Sequence, residues 1–154
     1  ISFLVALKMD VNQQSATSGD TLLHALCRTD DLRMIRHVFN DLKAKPASNF
    51  YGCTPLHVAC SNGQLRVVDF LSGVGFGISE PDVKGEQPLH HACRGGSVIV
   101  AQKLVALMAN VNCQDDSGEV PLTEAIRAGN MHLVQALVSL RADVMHQTST
   151  RRTM

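Results

Sequence analysis

The sequence predicts an all-α solenoid of helix-turn-helix repeats joined by β-hairpin-like fingers. Three observations carry that prediction. Gly19, Gly52, Gly85 and Gly118 recur at intervals of 33 residues, the kind of period that marks a repeat array. At a fixed offset after each glycine stands a leucine (Leu23, Leu56, Leu89, Leu122), preceded by proline in three units and by Leu22 in the first. Each unit then carries two short apolar stretches at helical spacing. Helices that short are marginal alone and must stack on their neighbours.

The elements follow in order. Residues 1–18 are read as a partial N-terminal repeat, with Leu4 to Asn12 its back half. Complete repeats follow at 19–51, 52–84 and 85–117, a C-terminal repeat at 118–146, and a polar tail at 147–154. Within the second complete unit, Thr54 suits an N-cap and Pro55 the first helical position, where a missing N–H costs nothing. Leu56, Ala59 and Cys60 share one helix face. Gly63 closes that helix, and Leu65, Val67, Val68 and Leu71 mark the second. The glycine opening each unit belongs to a turn that needs positive φ. Two closing stretches depart from the pattern: Leu42 to Pro46, where proline forbids helix, and the glycine-rich run Gly73 to Ile78. Both are expected to sample alternative conformations. The last unit keeps apolar Leu137, Val138 and Leu140 where a terminal cap is polar, so further repeats or another domain are expected to follow.

Composition narrows the class. Of 154 residues, 45% are hydrophobic and 4% aromatic, so the core is aliphatic. Fourteen basic residues balance fourteen acidic ones, which argues against a nucleic-acid partner held by phosphate contacts. No apolar run is long enough to cross a bilayer. Five cysteines cannot all pair, and Cys27, Cys60 and Cys93 repeat every 33 residues inside apolar segments. Buried free thiols in a reducing compartment, cytoplasmic or nuclear, are the expectation. The chain opens on Ile1 without a secretory signal, and is expected to be a monomeric segment of a longer protein.

The tetrapeptide Thr54-Pro55-Leu56-His57, continued by Val58-Ala59-Cys60, resembles the ankyrin repeat signature. Its other copies are Thr21-Leu22-Leu23-His24, Gln87-Pro88-Leu89-His90 and Val120-Pro121-Leu122-Thr123. The turn and second helix agree at Asn62 to Val68 and at Ala128 to Val134. The closing Gly-Ala-Asp-Val-Asn of the family appears as Met108-Ala109-Asn110-Val111-Asn112 and Arg141-Ala142-Asp143-Val144. The resemblance covers nearly the whole chain. It implies a protein–protein interaction module, not an enzyme. A partner protein or peptide would lie along a concave groove lined by finger tips and first helices. The alternatives are a regulatory or substrate-recruiting arm of a larger enzyme or ubiquitin-ligase receptor, or an architectural spacer. Asn112, and Asn12 less closely, match the family's hydroxylated asparagine.

Several constellations resemble chemistry. His24 with Cys27, His57 with Cys60 and His90 with Cys93 each form His-x-x-Cys, three residues apart on one helix face, a spacing open to a metal or to a cysteine–histidine dyad. A structural reading is preferred: the histidine belongs to the tetrapeptide, where it resembles a residue tying units together, and the cysteine faces the core. His91 is expected to be a plain exposed side chain. Gly73 to Gly77 lacks the Lys-Ser/Thr of a phosphate loop. Asp30-Asp31 and Asp115-Asp116 lack the further oxygens of a cation site. No catalytic set, metal or cofactor is expected.

Carried onto this chain, the resemblance gives a partner-binding surface. Its tips hold Phe50, Tyr51, Lys84 and Asp116. Asp20, Glu86 and Glu119 stand just after the glycines. Arg28, Ser61 with Asn62, Arg94 and Arg127 lie at the first-helix ends. Phe50 and Tyr51 are adjacent aromatics among six in the chain, a candidate anchor. Asp20 with Arg28, Glu86 with Arg94 and Glu119 with Arg127 repeat an acid–arginine pair. Arg94 and Arg127 are expected in one column about 10 Å apart.

Overall fold

The computed structural model describes residues 10–145. The predicted back half of an N-terminal repeat lies outside the described residues as far as residue 9, as does the tail from residue 146. Among the described residues eight helices follow in chain order: α1 (Leu22–Leu26), α2 (Leu32–Asn40), α3 (Pro55–Ser61), α4 (Leu65–Gly73), α5 (Pro88–Arg94), α6 (Val98–Ala106), α7 (Pro121–Arg127) and α8 (Met131–Ser139). No strand occurs among the described residues. The fold is an all-α solenoid. First helices α1, α3, α5 and α7 stack in one layer, second helices α2, α4, α6 and α8 in the other.

Each first helix starts as its sequence dictates. Proline occupies the first turn of α3, α5 and α7. Thr54 precedes α3 in extended conformation, and its backbone N–H donates to His57 Nδ1 at 3.1 Å. Thr21 with His24 and Gln87 with His90 repeat that bond. With leucine in place of proline, α1 has five residues against seven in α3. Three of the four second helices are capped by a polar side chain, α4 being the exception: Asp31 accepts from the Met34 N–H and Asn130 from the Leu133 N–H, each at 3.1 Å, and Ser97 from the Val100 N–H at 3.4 Å. Asp31 is therefore a cap, as expected of an acid at a helix N-terminus.

The core is a set of columns. Leu23, Leu56 and Leu89 are fully buried one above another, as are Cys27, Cys60 and Cys93. Burial pushes the Cys27 and Cys93 thiols up to about 12 and Cys60 higher still. An acid whose folded pKa exceeds its unfolded value contributes stability that is complete below the unfolded pKa and lost above it. Alkaline destabilisation is therefore expected from about pH 9 upward. By pH 10.5 each such thiol should cost roughly 2 kcal/mol. Thermal melts from pH 8 to 10.5 check this: the Cys27→Ala, Cys60→Ala double variant should lose less stability over that range than the parent.

The two irregular loops acquire anchors. In three units the closing residue is buried and donates its N–H to the carbonyl five residues back, at Phe76, Ala109 and Ala142. In the first unit Ala44 fills the same slot but bonds Val38, six residues back. The extra residue is accommodated where Lys43 takes φ +57°. In the glycine-rich run Phe76 packs against Phe39, ring centroids 6.1 Å apart, and Gly73 is the last residue of α4.

Candidate functional site

The fingers between units are built by one side chain each. Asn49, Asp82 and Asp115 accept, through Oδ1, the backbone N–H groups two and four residues on, at 2.8–3.0 Å. Such Asx turns satisfy the tip without a strand. Adjacent tips are then linked: Phe50 N–H donates to Ser18 C=O, Val83 N–H to Tyr51 C=O and Asp116 N–H to Lys84 C=O, at 2.9–3.0 Å. The tips thus form a continuous row, with Phe50 and Tyr51 in it, each 58% exposed. The Phe50 ring lies over Gly19 of the preceding tip, where even a Cβ would meet it.

Beneath the tips, ion pairs recur in three of the four units. Arg28 meets Asp20 at 2.7 Å, Arg94 meets Glu86, and Arg127 meets Glu119 at 2.7 Å, so all three predicted acid–arginine pairs form. Arg94 and Arg127 are also joined through Glu124, which receives Arg94 Nε at 3.2 Å and Arg127 Nη1 at 2.7 Å. The sequence reading missed Glu124. Its one local signal is an acid three residues before Arg127 on the same helix, a pair that meets across one turn. The Glu86 hydrogen bond is the main influence holding the Arg94 guanidinium above its ordinary value. Burial is the largest single influence on the Glu86 carboxyl and works to raise it, but the Arg94 hydrogen bond and charge, together with the His91 charge, outweigh it and the net shift is downward. Asp20 behaves alike: burial raises it, and hydrogen bonds from Asn49 and Arg28 bring it below the usual range.

Lys84, Glu86, Arg94, Asp116, Glu119 and Arg127, six of the twelve predicted binding residues, line one open cleft of about 840 Å³ together with Glu124. Asp20 lines a separate, more apolar cleft of about 520 Å³ beside Val11, Leu22 and Ala25. Ser61 and Asn62 line neither cleft, and both donate their side-chain hydrogens to the Val58 carbonyl.

Glu86, paired with Arg94 as expected, is 6% exposed and also meets His91, because α5 and the third finger close over it. One expectation needs correction: His91 is not a plain exposed residue. Its side chain is 12% exposed, with Nε2 at 3.0 Å from Asp82 Oδ2 and 3.5 Å from Glu86 Oε2. The finger folds back onto the first helix, covering a position that helical spacing alone directs outward.

The His-x-x-Cys histidines are tied into the repeat junctions. Nδ1 of each is engaged at its own helix start, while Nε2 of His24 bonds the Cys53 carbonyl at 2.9 Å and that of His90 the Glu119 carbonyl at 3.2 Å, in each case one unit on. His57 is the exception. It is fully buried, and no partner meets hydrogen-bond geometry at its Nε2, although the Glu86 carbonyl acts on it from the next unit. The partner histidine positions therefore serve the stacking of units. Asn112 is half-buried: its Oδ1 accepts the Asp143 N–H at 2.8 Å and its amide donates to the Arg141 carbonyl at 3.3 Å. Asn12 Oδ1 likewise accepts the Lys45 N–H at 2.7 Å. Both asparagines thus bridge successive closing loops.

No helix among the described residues is long and apolar enough to cross a membrane. A family model described as "Ankyrin repeats (3 copies)" matches residues 1–82 and again 72–148. No curated protein matches the chain.

Proposed function

The chain belongs to the ankyrin-repeat family, whose members are generally protein–protein interaction modules and typically not enzymes, and from that premise we propose that it binds an extended segment of a partner protein along its finger tips and the cleft beneath them. The observation that carries this reading is the exposure of Phe50 and Tyr51, side by side on the tip row of a protein with six aromatic residues. Leaving two aromatic rings in water forgoes burial worth about 1.5–3 kcal/mol for a residue of this size. A partner that covers them recovers it, and buried aromatics are the commonest anchors of interfaces. In the cleft beneath that row, Arg94 and Arg127 remain 43% and 56% exposed despite their ion pairs. Their remaining N–H donors are offered to carboxylates or backbone carbonyls of the bound segment. The five free cysteines fit a reducing compartment, cytoplasmic or nuclear.

The test pairs the full chain with two variants, Phe50→Ala/Tyr51→Ala and Arg94→Ala/Arg127→Ala, each checked for unchanged melting. Proteins captured by the parent are identified, and their affinities are measured with all three. The aromatic double variant should lose about 2 kcal/mol of binding, roughly 30-fold. The arginine variant should lose less, because partly solvated ion pairs contribute about 0–1 kcal/mol each. Equal affinity for all three forms removes the tip-row site and favours the spacer reading.

A further inference from the structure

We propose that Cys53, Asp82 and His91 form a binding site for a borderline-soft divalent cation of the zinc class, set in the junction between the second and third repeats. Cys53 Sγ, one Asp82 carboxylate oxygen and one His91 ring nitrogen lie within 4.8 Å of one another. His91 Nε2 is 3.0 Å and Cys53 Sγ 3.8 Å from the same atom, Asp82 Oδ2. With metal bonds of about 2.0 Å to nitrogen or oxygen and 2.3 Å to sulfur, tetrahedral edges are about 3.3 Å between light ligands and about 3.6 Å to sulfur. The two edges to Asp82 Oδ2 are therefore already near coordination spacing, and the third lies within 4.8 Å.

The carboxylate is oriented for this. Asp82 Oδ1 is fixed by the Lys84 and Glu86 N–H groups at 2.8 and 3.0 Å, which leaves Oδ2 turned to the other two ligands. Such outer hydrogen bonds are what hold ligating carboxylates in metal sites. The Asp82 side chain is 5% exposed and that of His91 12%, so these two ligands are largely desolvated, and Cys53 is half-buried.

A second, independent observation is the repeat pattern of cations. In the first, third and fourth units the residue after the glycine is an acid paired with an arginine eight residues on. In the second unit those two positions are Cys53 and Ser61. Ser61 turns its hydroxyl to the Val58 carbonyl, so the second unit lacks the acid–arginine pair of the other three. In that unit the residue after the glycine is instead a thiol, and it meets a carboxylate and an imidazole.

Both hydrogens that now point at Oδ2 are replaced on binding. The Cys53 S–H proton is released to solvent as the thiolate–metal bond forms. His91 binds as neutral imidazole through Nε2, its proton moving to Nδ1. Water completes the tetrahedron. Because the site uses none of the exposed tip residues, it stands or falls separately from the partner-binding reading.

The probe is the metal alone, added to the reduced full chain. One equivalent of cobalt(II) should bind and produce a thiolate-to-cobalt charge-transfer band with tetrahedral d–d absorption, and one equivalent of zinc should displace it. X-ray absorption of the zinc form should show one sulfur at about 2.3 Å and light atoms at about 2.0 Å. Cys53→Ser should abolish the band. Asp82→Asn and His91→Gln should weaken binding by at least the roughly 10–100-fold that outer partners of a metal contribute. Cys113→Ser should change nothing. A parent protein with no charge-transfer band at one equivalent, or a zinc shell with no sulfur or more than one, overturns the proposal even if a variant fails to fold. So does a band that survives in folded Cys53→Ser.

Discussion

Replacing Gly95 with alanine is expected to lower the unfolding free energy by about 3 kcal/mol, the upper end of the usual cost of overpacking. Gly95 follows α5 with φ −72°, an ordinary conformation for any residue, so backbone strain is not the reason. A Cβ built there falls 2.2 Å from the Ser61 carbonyl oxygen and 2.8 Å from its carbon, both backbone atoms of the preceding repeat. No side-chain rotation relieves that contact, and the ends of α3 and α5 must move apart. At about 2–4 °C per kcal/mol for a chain of this size, the melting temperature should drop by about 10 °C. The control is Gly73→Ala. Gly73 is helical and meets nothing within 4 Å, so alanine there should stabilise by about 0.4–1 kcal/mol. If Gly95→Ala melts with or above the parent, the close approach of the second and third repeats is wrong.

Gly52→Ala is expected to cost about 3 kcal/mol, from two sources that a second control separates. Gly52 has φ +73°, where a side chain adds about 1–2 kcal/mol. Its Cβ would also stand 2.7 Å from the Val83 backbone nitrogen, whose N–H donates to the Tyr51 carbonyl and links the second and third tips. Gly129 has nearly the same φ, +68°, with nothing within 4 Å. Gly129→Ala therefore measures the conformational part alone, and the difference between the two measures the link between fingers. Urea or thermal unfolding of both variants gives that difference directly. Equal losses would mean that the tips are not coupled through Val83. The same substitution should also weaken partner binding and cobalt binding, because Tyr51, Cys53 and Asp82 flank the disturbed bond.

Much of this was readable from the amino acids because repeat folds are local. A helix start needs a cap and favours proline, as at Thr54 and Pro55. A core face needs apolar residues at helical spacing, as at Leu56, Ala59 and Cys60. A tip needs positive φ, as at Gly52 and Gly85. The acid–arginine pairs were legible for the same reason, since both partners sit in one unit, eight residues apart.

What the tertiary structure decided concerns neighbours from different units. Glu124 bridges Arg94 to Arg127 across α5 and α7. His91 is covered by a finger, not left to solvent, and Glu86 is buried between Arg94 and that histidine. Gly95 touches Ser61, although its sequence context reads as an ordinary turn. Cys53 falls outside the 33-residue series of core cysteines and meets Asp82 and His91 only when two repeats stack. The sequence by itself determined the repeat, its helices and its core columns, because each depends on residues a few positions apart. The stacking of one unit on the next sets the distances between them, and so only the tertiary structure decided which charges, thiols and rings converge.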